Sequence, residues 1–258
     1  MDILIATFFG LLIGSFLNVC IYRVPLKLSV TEPARSFCPV CGTQLSWYEN
    51  IPVFSWLFLK GKCKHCGAKI SGQYPLVEIL SAAFAAGSFL TFHDLLTATL
   101  VYALSATLIV ITFIDLEHKI IPNAISYPGM IIGFIFGVVS EFTSGIMLYP
   151  FTQGALDSLL GFLLGGGFFY VIGEGYYLVT KRDGLGGGDI KMMGMTGAIL
   201  GWKSIAPTIF IGSVAGAIIG VAIMILTGAG KRLEIPFGPW LSLGVIIYIF
   251  GDLPFFRF

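Results

Sequence analysis

Eight apolar stretches take up most of this chain, and most of them are long enough to cross a lipid bilayer as a helix. They run Ile3–Tyr22, Leu76–Phe92, Leu95–Ile114, Ala124–Ser140, Leu156–Val179, Ile190–Trp202, Ile205–Thr227 and Ile235–Gly251. A spanning helix takes about 20 residues, within a range of roughly 17–25. Only the sixth stretch falls clearly short. Because the bilayer interior offers no partner to an open backbone N–H or C=O, such a chain has to be helical. The expected fold is therefore an all-α polytopic membrane protein of about eight transmembrane helices. Composition agrees, with 56% hydrophobic and 11% charged residues, against roughly a quarter charged in a soluble domain. The 15 basic and 14 acidic residues nearly cancel, so the basic footprint of a nucleic-acid binder is absent and no nucleic-acid partner is expected. The first stretch follows Met1-Asp2 without a basic n-region or a small-residue cleavage site, and it is expected to stay as a helix rather than act as a cleaved signal.

The long polar stretch, Arg23–Pro75, carries seven basic residues. The positive-inside rule puts it in the cytoplasm and the N-terminus outside. With eight spans, Lys119, Lys181, Arg182, Lys191, Lys231 and Arg232 join it, leaving Lys203 and Arg257 outside. A re-entrant sixth segment gives the same balance, so charge does not choose between seven and eight spans. Either way Asp115 and Asp189 face the cytoplasm. Glycines four apart, at 133/137, 212/216 and 216/220, suit close helix approach in lipid.

Inside the polar stretch stand Cys38-Pro39-Val40-Cys41-Gly42 and Cys63-Lys64-His65-Cys66-Gly67. Two C-x-x-C-G knuckles offer four thiolates at the spacing of a tetrahedral structural zinc site. The reducing cytoplasm disfavours the alternative of disulfides. A four-thiolate shell is closed, so the ion would order a small loop domain that lacks a core of its own. His65 then reads as a basic loop residue and Cys20 as a buried apolar one.

Acidic residues in apolar segments are costly and commonly functional. Asp115 follows Phe113-Ile114, and Asp189 follows the glycine run Gly186-Gly187-Gly188. Either alone could be interfacial: Asp115 is four residues from Lys119, and Asp189 suits a first helical turn. Together, at one depth on one side, they suit a shared-proton pair, one group acting as base on water and the other as acid on a carbonyl. The glycines admit a substrate backbone, with Gly186, Gly188 and Lys191 as substrate-supporting residues. Glu78, Glu117 and Glu174 are candidates to attract a basic substrate, or else helix-end carboxylates.

Gly186-Gly187-Gly188-Asp189 matches the G-x-G-D motif of membrane aspartic proteases, and the chain resembles the type IV prepilin peptidases nearly end to end. The resemblance includes Gly14-Ser15-Phe16-Leu17-Asn18-Val19, Tyr22-Arg23-Val24-Pro25, both cysteine knuckles and Ile51-Pro52-Val53-Phe54-Ser55-Trp56. It continues through Ser71-Gly72-Gln73-Tyr74-Pro75-Leu76-Val77-Glu78, Asp115 with Ile121-Pro122-Asn123, and Gly184 to Lys191. It implies an enzyme of the bacterial inner membrane with its active site facing the cytoplasm. Such an enzyme removes a short basic leader from type IV prepilins and pseudopilins after a glycine, and then N-methylates the new N-terminus with S-adenosylmethionine. Asp115 and Asp189 take the family's catalytic roles, and Cys38, Cys41, Cys63 and Cys66 its zinc-ligand roles. The implied division is a methyltransferase part at 1–94 and a peptidase core at 95–258. No Rossmann fingerprint is visible, and Asn18, Arg23 and Glu78 are the candidates for cofactor or substrate contact. Two other classes stay open on the residues. One is a proton- or ion-coupled transporter, which would place its carboxylates near the midplane and show an internal repeat; the other is a membrane scaffold using the zinc loop.

Overall fold

The computed structural model describes residues 3–142, 149–181, 186–227 and 236–251. Arg182, Gly184, Leu185, Lys231, Arg232, Ile235 and Arg257, which enter the motif, charge or segment reading above, lie outside the described residues. The chain divides into two compact units, Met1–Val110 and Ile111–Phe258.

The first unit contains α1 (Ile3–Arg23), the polar loop with the short α2 (Phe54–Phe58), α3 (Gln73–Thr91) and most of α4 (Leu95–His118). Helices α1 and α3 pack through small residues. A Cβ on Gly10 would lie 2.7 Å from Ala82 Cα, and one on Gly14 would lie 2.7 Å from Glu78 Cα. This pair of glycines, absent from the pairs singled out by spacing, brings backbone against backbone as membrane helices require. At the same level the Ser81 hydroxyl donates to the Gly10 carbonyl at 2.7 Å and lies 2.8 Å from the Tyr102 hydroxyl.

The second unit holds the end of α4, α5 (Asn123–Phe142), α6 (Ala155–Phe162), α7 (Phe168–Thr180), α8 (Gly187–Leu200), α9 (Ile205–Thr227) and α10 (Gly238–Phe250). A π-helical turn, Leu163–Gly167, joins α6 to α7. Helix α8 is central: every residue from Met192 to Leu200 is buried. Its neighbours accept it through glycine, with Gly133 of α5 against Ala198, and with Gly161 of α6 and Gly197 of α8 meeting backbone to backbone. Gly212 and Gly216 of α9 meet Trp240 of α10, so all the glycine spacings named from sequence except Gly220 serve a described helix contact. A Cβ on Gly161 would fall 2.7 Å from the Gly197 carbonyl carbon, and neither backbone can give way. Gly161→Ala is therefore expected to destabilise the protein by about 1–3 kcal/mol, the usual cost of overpacking. A detergent-solubilised thermal melt reads this, and an unchanged midpoint would contradict it.

Six helical segments among the described residues are long and apolar enough to cross a membrane, and Gly238–Phe250 is a shorter apolar helix. Helix α8 has 14 residues, about 21 Å at 1.5 Å per residue, against a hydrocarbon core of about 30 Å. The eight apolar segments expected from sequence are thus all helical, while six of them reach spanning length. The third ends later than its sequence suggests, so Asp115 is not its last residue but sits almost a full turn before His118, at its C-terminal end.

Candidate functional site

The second unit brings Asp115 and Asp189 together. Asp115 is 5% exposed, and its Oδ2 accepts the Gly238 backbone N–H at 2.9 Å. That N–H is free to be given because Gly238 is the first residue of α10, followed by Pro239, and the first-turn donors of a helix have no partner within it. A Cβ on Gly238 would lie 2.7 Å from Asp115 Oδ2, so only glycine lets the two elements meet this closely. Asp189 is half-buried in the first turn of α8, and its carboxylate lies close enough to that of Asp115 for their charges to repel.

The glycine run sets this approach. A Cβ on Gly188 would meet Ile121 Cβ at 3.0 Å and Ile121 N at 3.2 Å, so the missing side chain lets α8 start directly against the chain leaving α4. A Cβ on Gly186 would lie 2.9 Å from Asp189 Oδ2. Lys191 donates to Asn123 Oδ1 at 2.7 Å and sits 5.9 Å from the Tyr127 ring centroid. It thereby ties the first turn of α8 to the start of α5. Gly238 was not singled out from sequence, because its role depends on a contact 123 positions away. The local signal was Phe237-Gly238-Pro239-Trp240, a glycine and proline opening an apolar helix.

In the first unit the four predicted thiols converge. The Sγ atoms of Cys38, Cys41, Cys63 and Cys66 lie within 4.8 Å of one another. Each knuckle turns back on itself: Gly42 and Gly67, at φ +70° and +72°, donate to the carbonyls of Cys38 and Cys63 at 2.8 and 2.9 Å. Both occupy the left-handed region that glycine adopts at no cost. Short antiparallel bridges, Phe37 with Gln44 and Lys62 with Lys69, close the turns. The Thr43 hydroxyl, 3.3 Å from Cys41 Sγ, pulls that thiol down to about 6, which favours the thiolate that metals bind. The cluster fits a metal ion, and four sulfurs in this spacing suit tetrahedral zinc. His65 stands outside it, with Nε2 3.3 Å from Glu49 Oε1. The Ser46 N–H, and after it His65, hold Glu49 below the usual carboxylate range. Cys20 is only half-buried in α1.

Asn18, Arg23 and Glu78, proposed from sequence for cofactor or substrate contact, all border one cavity of about 350 Å³ in the first unit. All three are also bound to the protein itself. Asn18 Nδ2 donates to the carbonyls of Gly14 and Tyr74, and Arg23 donates to those of Ser29 and Pro33. Glu78 Oε2 accepts the Val53 N–H at 2.7 Å. Glu78 is thus a tie between α3 and the loop rather than a free helix-end charge.

Residues 8–92 match the Bacterial Peptidase A24 N-terminal domain, and residues 102–221 match the Type IV leader peptidase family. A prepilin leader peptidase/N-methyltransferase of Myxococcus xanthus is 38% identical over 230 residues, 87% of this chain and 64% of the relative. The chain thus spans just under two thirds of that relative's length. Relatives of the same description are 32% identical in Aeromonas hydrophila and 34% in Xanthomonas campestris. These alignments cover 95% and 94% of this chain and 89% of each relative. No solved structure matches the chain. Neither the fold nor these relatives favour an ion-coupled transporter.

Proposed function

The chain belongs to the type IV leader peptidase family, and on that premise we propose that it cleaves the basic leader from type IV prepilins and pseudopilins and N-methylates the exposed N-terminus. The observation that carries the first activity is the meeting of Asp115 and Asp189 beside the Gly186–Gly188 run, in a multi-pass membrane chain. The peptidase core is the part from residue 95 onward, and the methyltransferase part is residues 1–94. The protein sits in the bacterial inner membrane with its N-terminus outside and both sites facing the cytoplasm, as the basic loop favours.

Two carboxylates that repel each other across one site favour holding a single proton between them. The ionised group takes a proton from water as the water oxygen bonds to the scissile carbonyl carbon, while the protonated group gives its proton to the carbonyl oxygen. Collapse breaks the C–N bond as the first group gives its proton to the leaving amine and the second, now ionised, takes back a hydroxyl proton, which re-forms the carbonyl and restores the singly protonated pair. Gly238 fixes the Asp115 carboxylate, Lys191 and Asn123 fix the start of α8, Gly188 seats α8 against Ile121, and Gly186 leaves the Asp189 carboxylate uncovered. The four cysteines would hold zinc, which orders the loop. S-adenosylmethionine, when bound, supplies an electrophilic methyl group.

Purified protein, a prepilin-type peptide and labelled S-adenosylmethionine test the reading together. The expected products are a shortened peptide and its form one methyl heavier; intact peptide would refute the peptidase assignment. A finer test is Gly238→Ala, whose Cβ displaces the Asp115 carboxylate from its N–H. Cleavage should fall about 10- to 100-fold, the cost of a misplacement of around 1 Å, with the melt changed by no more than about 1–3 kcal/mol. Wild-type turnover in a peptide assay would show that this contact does not position Asp115.

A further inference from the structure

The cavity in the first unit is built from three segments that are distant in sequence. Helix α1 supplies Ser15 to Arg23, the loop supplies residues between Ser36 and Ser71, and α3 supplies Tyr74 and Glu78. Its volume of about 350 Å³ falls within the range of small-molecule sites, roughly 300–1,000 Å³. Cys38 and Cys63 form part of its wall, so the metal-ordered knuckles also shape it.

Its polar lining carries both signs: Asn18 and Glu78 on the helices, and the cations Arg23, Lys64 and Lys69. Asn18 is 5% exposed, and its amide nitrogen already donates to two backbone carbonyls. What it offers the cavity is its carbonyl oxygen, an acceptor. Glu78 is 7% exposed and carries a carboxylate, also an acceptor. Arg23 is spent on the Ser29 and Pro33 carbonyls. The Asn18 and Glu78 acceptors therefore suit a donor or cationic end of a ligand, while Lys64 and Lys69 on the loop side suit an anionic group such as a carboxylate. The walls add Trp56 and Tyr74, flat surfaces suited to a purine.

Strain is stored at the same place. Val53 has φ +63° and ψ −51°, close to a γ-turn that is rare because it is strained, and the Phe54 N–H donates to the Pro52 carbonyl across it at 2.6 Å. A β-branched residue at positive φ is a strained outlier, and such residues cluster at ligand sites. Here the distortion aims the Val53 N–H at Glu78 Oε2, fixing the carboxylate at the cavity wall.

We propose that this cavity is the S-adenosylmethionine site, with Glu78 and the Asn18 carbonyl oxygen receiving the positively charged methionyl end and the aromatic walls receiving the adenine. The proposal rests on the methyltransferase reading above and gives it a location. It uses no Gly-rich nucleotide loop, in keeping with the lack of one in the sequence. Arg23, pinned to Ser29 and Pro33, braces the start of the loop that covers the site.

Isothermal titration of S-adenosylhomocysteine into the full-length protein in detergent tests the site without reference to turnover. Wild type should bind, and Asp189→Asn should bind equally well. Glu78→Gln should weaken binding at least tenfold, since it removes the charge while keeping an acceptor for Val53. Val19→Phe, which fills the cavity and touches no polar partner, should weaken it as much. Metal content and melting temperature establish that both variants are folded. If wild type binds and both folded variants bind as well as it does, the site is wrong and the methyltransferase reading survives. If wild type neither binds nor methylates, the reading falls and the site with it.

Discussion

Asp115→Asn and Asp189→Asn each lower leader cleavage by about 10³-fold or more, the scale seen when one member of a catalytic unit is removed. Asn matches Asp in size and keeps an oxygen able to accept the Gly238 N–H, so the local geometry at Asp115 survives. What disappears is the capacity to exchange a proton, on which both halves of the pair depend. The loss therefore belongs in the rate of the chemical step rather than in substrate affinity. A peptide-cleavage time course read by mass spectrometry separates the two. Methylation of an already cleaved pilin N-terminus should continue in both variants, because the groups proposed for that activity lie in the first unit.

Cys63→Ser has the next largest effect, and it falls on the loop. Removing one of four thiolates should drop metal content from one ion per chain toward none, because structural zinc derives its affinity from the complete shell. In small zinc domains the bound ion contributes ~10 kcal/mol or more of folding free energy. The bridges and the turns at Gly42 and Gly67 close each knuckle only on itself, and besides the ion the two halves of the loop are joined by side-chain contacts, His65 to Glu49, Lys64 to Tyr48 and Trp56 to the Ile70 carbonyl. Residues 24–72 should become sensitive to limited proteolysis and methyl transfer should be lost. The α1–α3 contact should persist, since Gly10, Gly14 and Ser81 hold it. Elemental analysis with a protease time course checks this, and a full complement of metal in Cys63→Ser would contradict the four-cysteine site. Acid should release the ion from wild type as well, because the ligands bind as thiolates.

These two sites differ in how far the sequence revealed them. The knuckles are local objects: C-x-x-C-G contains its ligands and its turn glycine within five residues, and Gly42 and Gly67 do adopt the left-handed conformation the motif requires. The carboxylate pair was readable because each Asp stands out against an apolar background. Its support was not readable, since Gly238 reaches Asp115 from another helix and Lys191 reaches Asn123 across 68 positions. The cavity was hidden for the same reason, although Asn18, Arg23 and Glu78 were each singled out; nothing in their spacing says that α1, the loop and α3 converge. Where the apolar helices lie followed from hydropathy, but how many span did not: six segments reach spanning length among the described residues. Packing within the second unit buries α8 completely over nine residues, so its apolar run reports burial in protein as much as exposure to lipid.

The central claim is that Asp115 and Asp189 act as one catalytic unit, and comparing the two single Asn variants with the double variant tests it most directly. Leader release from a prepilin peptide, followed by mass spectrometry on folded and metal-replete protein, should be as slow in the double variant as in either single one, because a pair sharing a proton fails when either member is lost. Cleavage at the wild-type rate in either single variant, or losses that multiply in the double variant, would contradict the shared-proton mechanism.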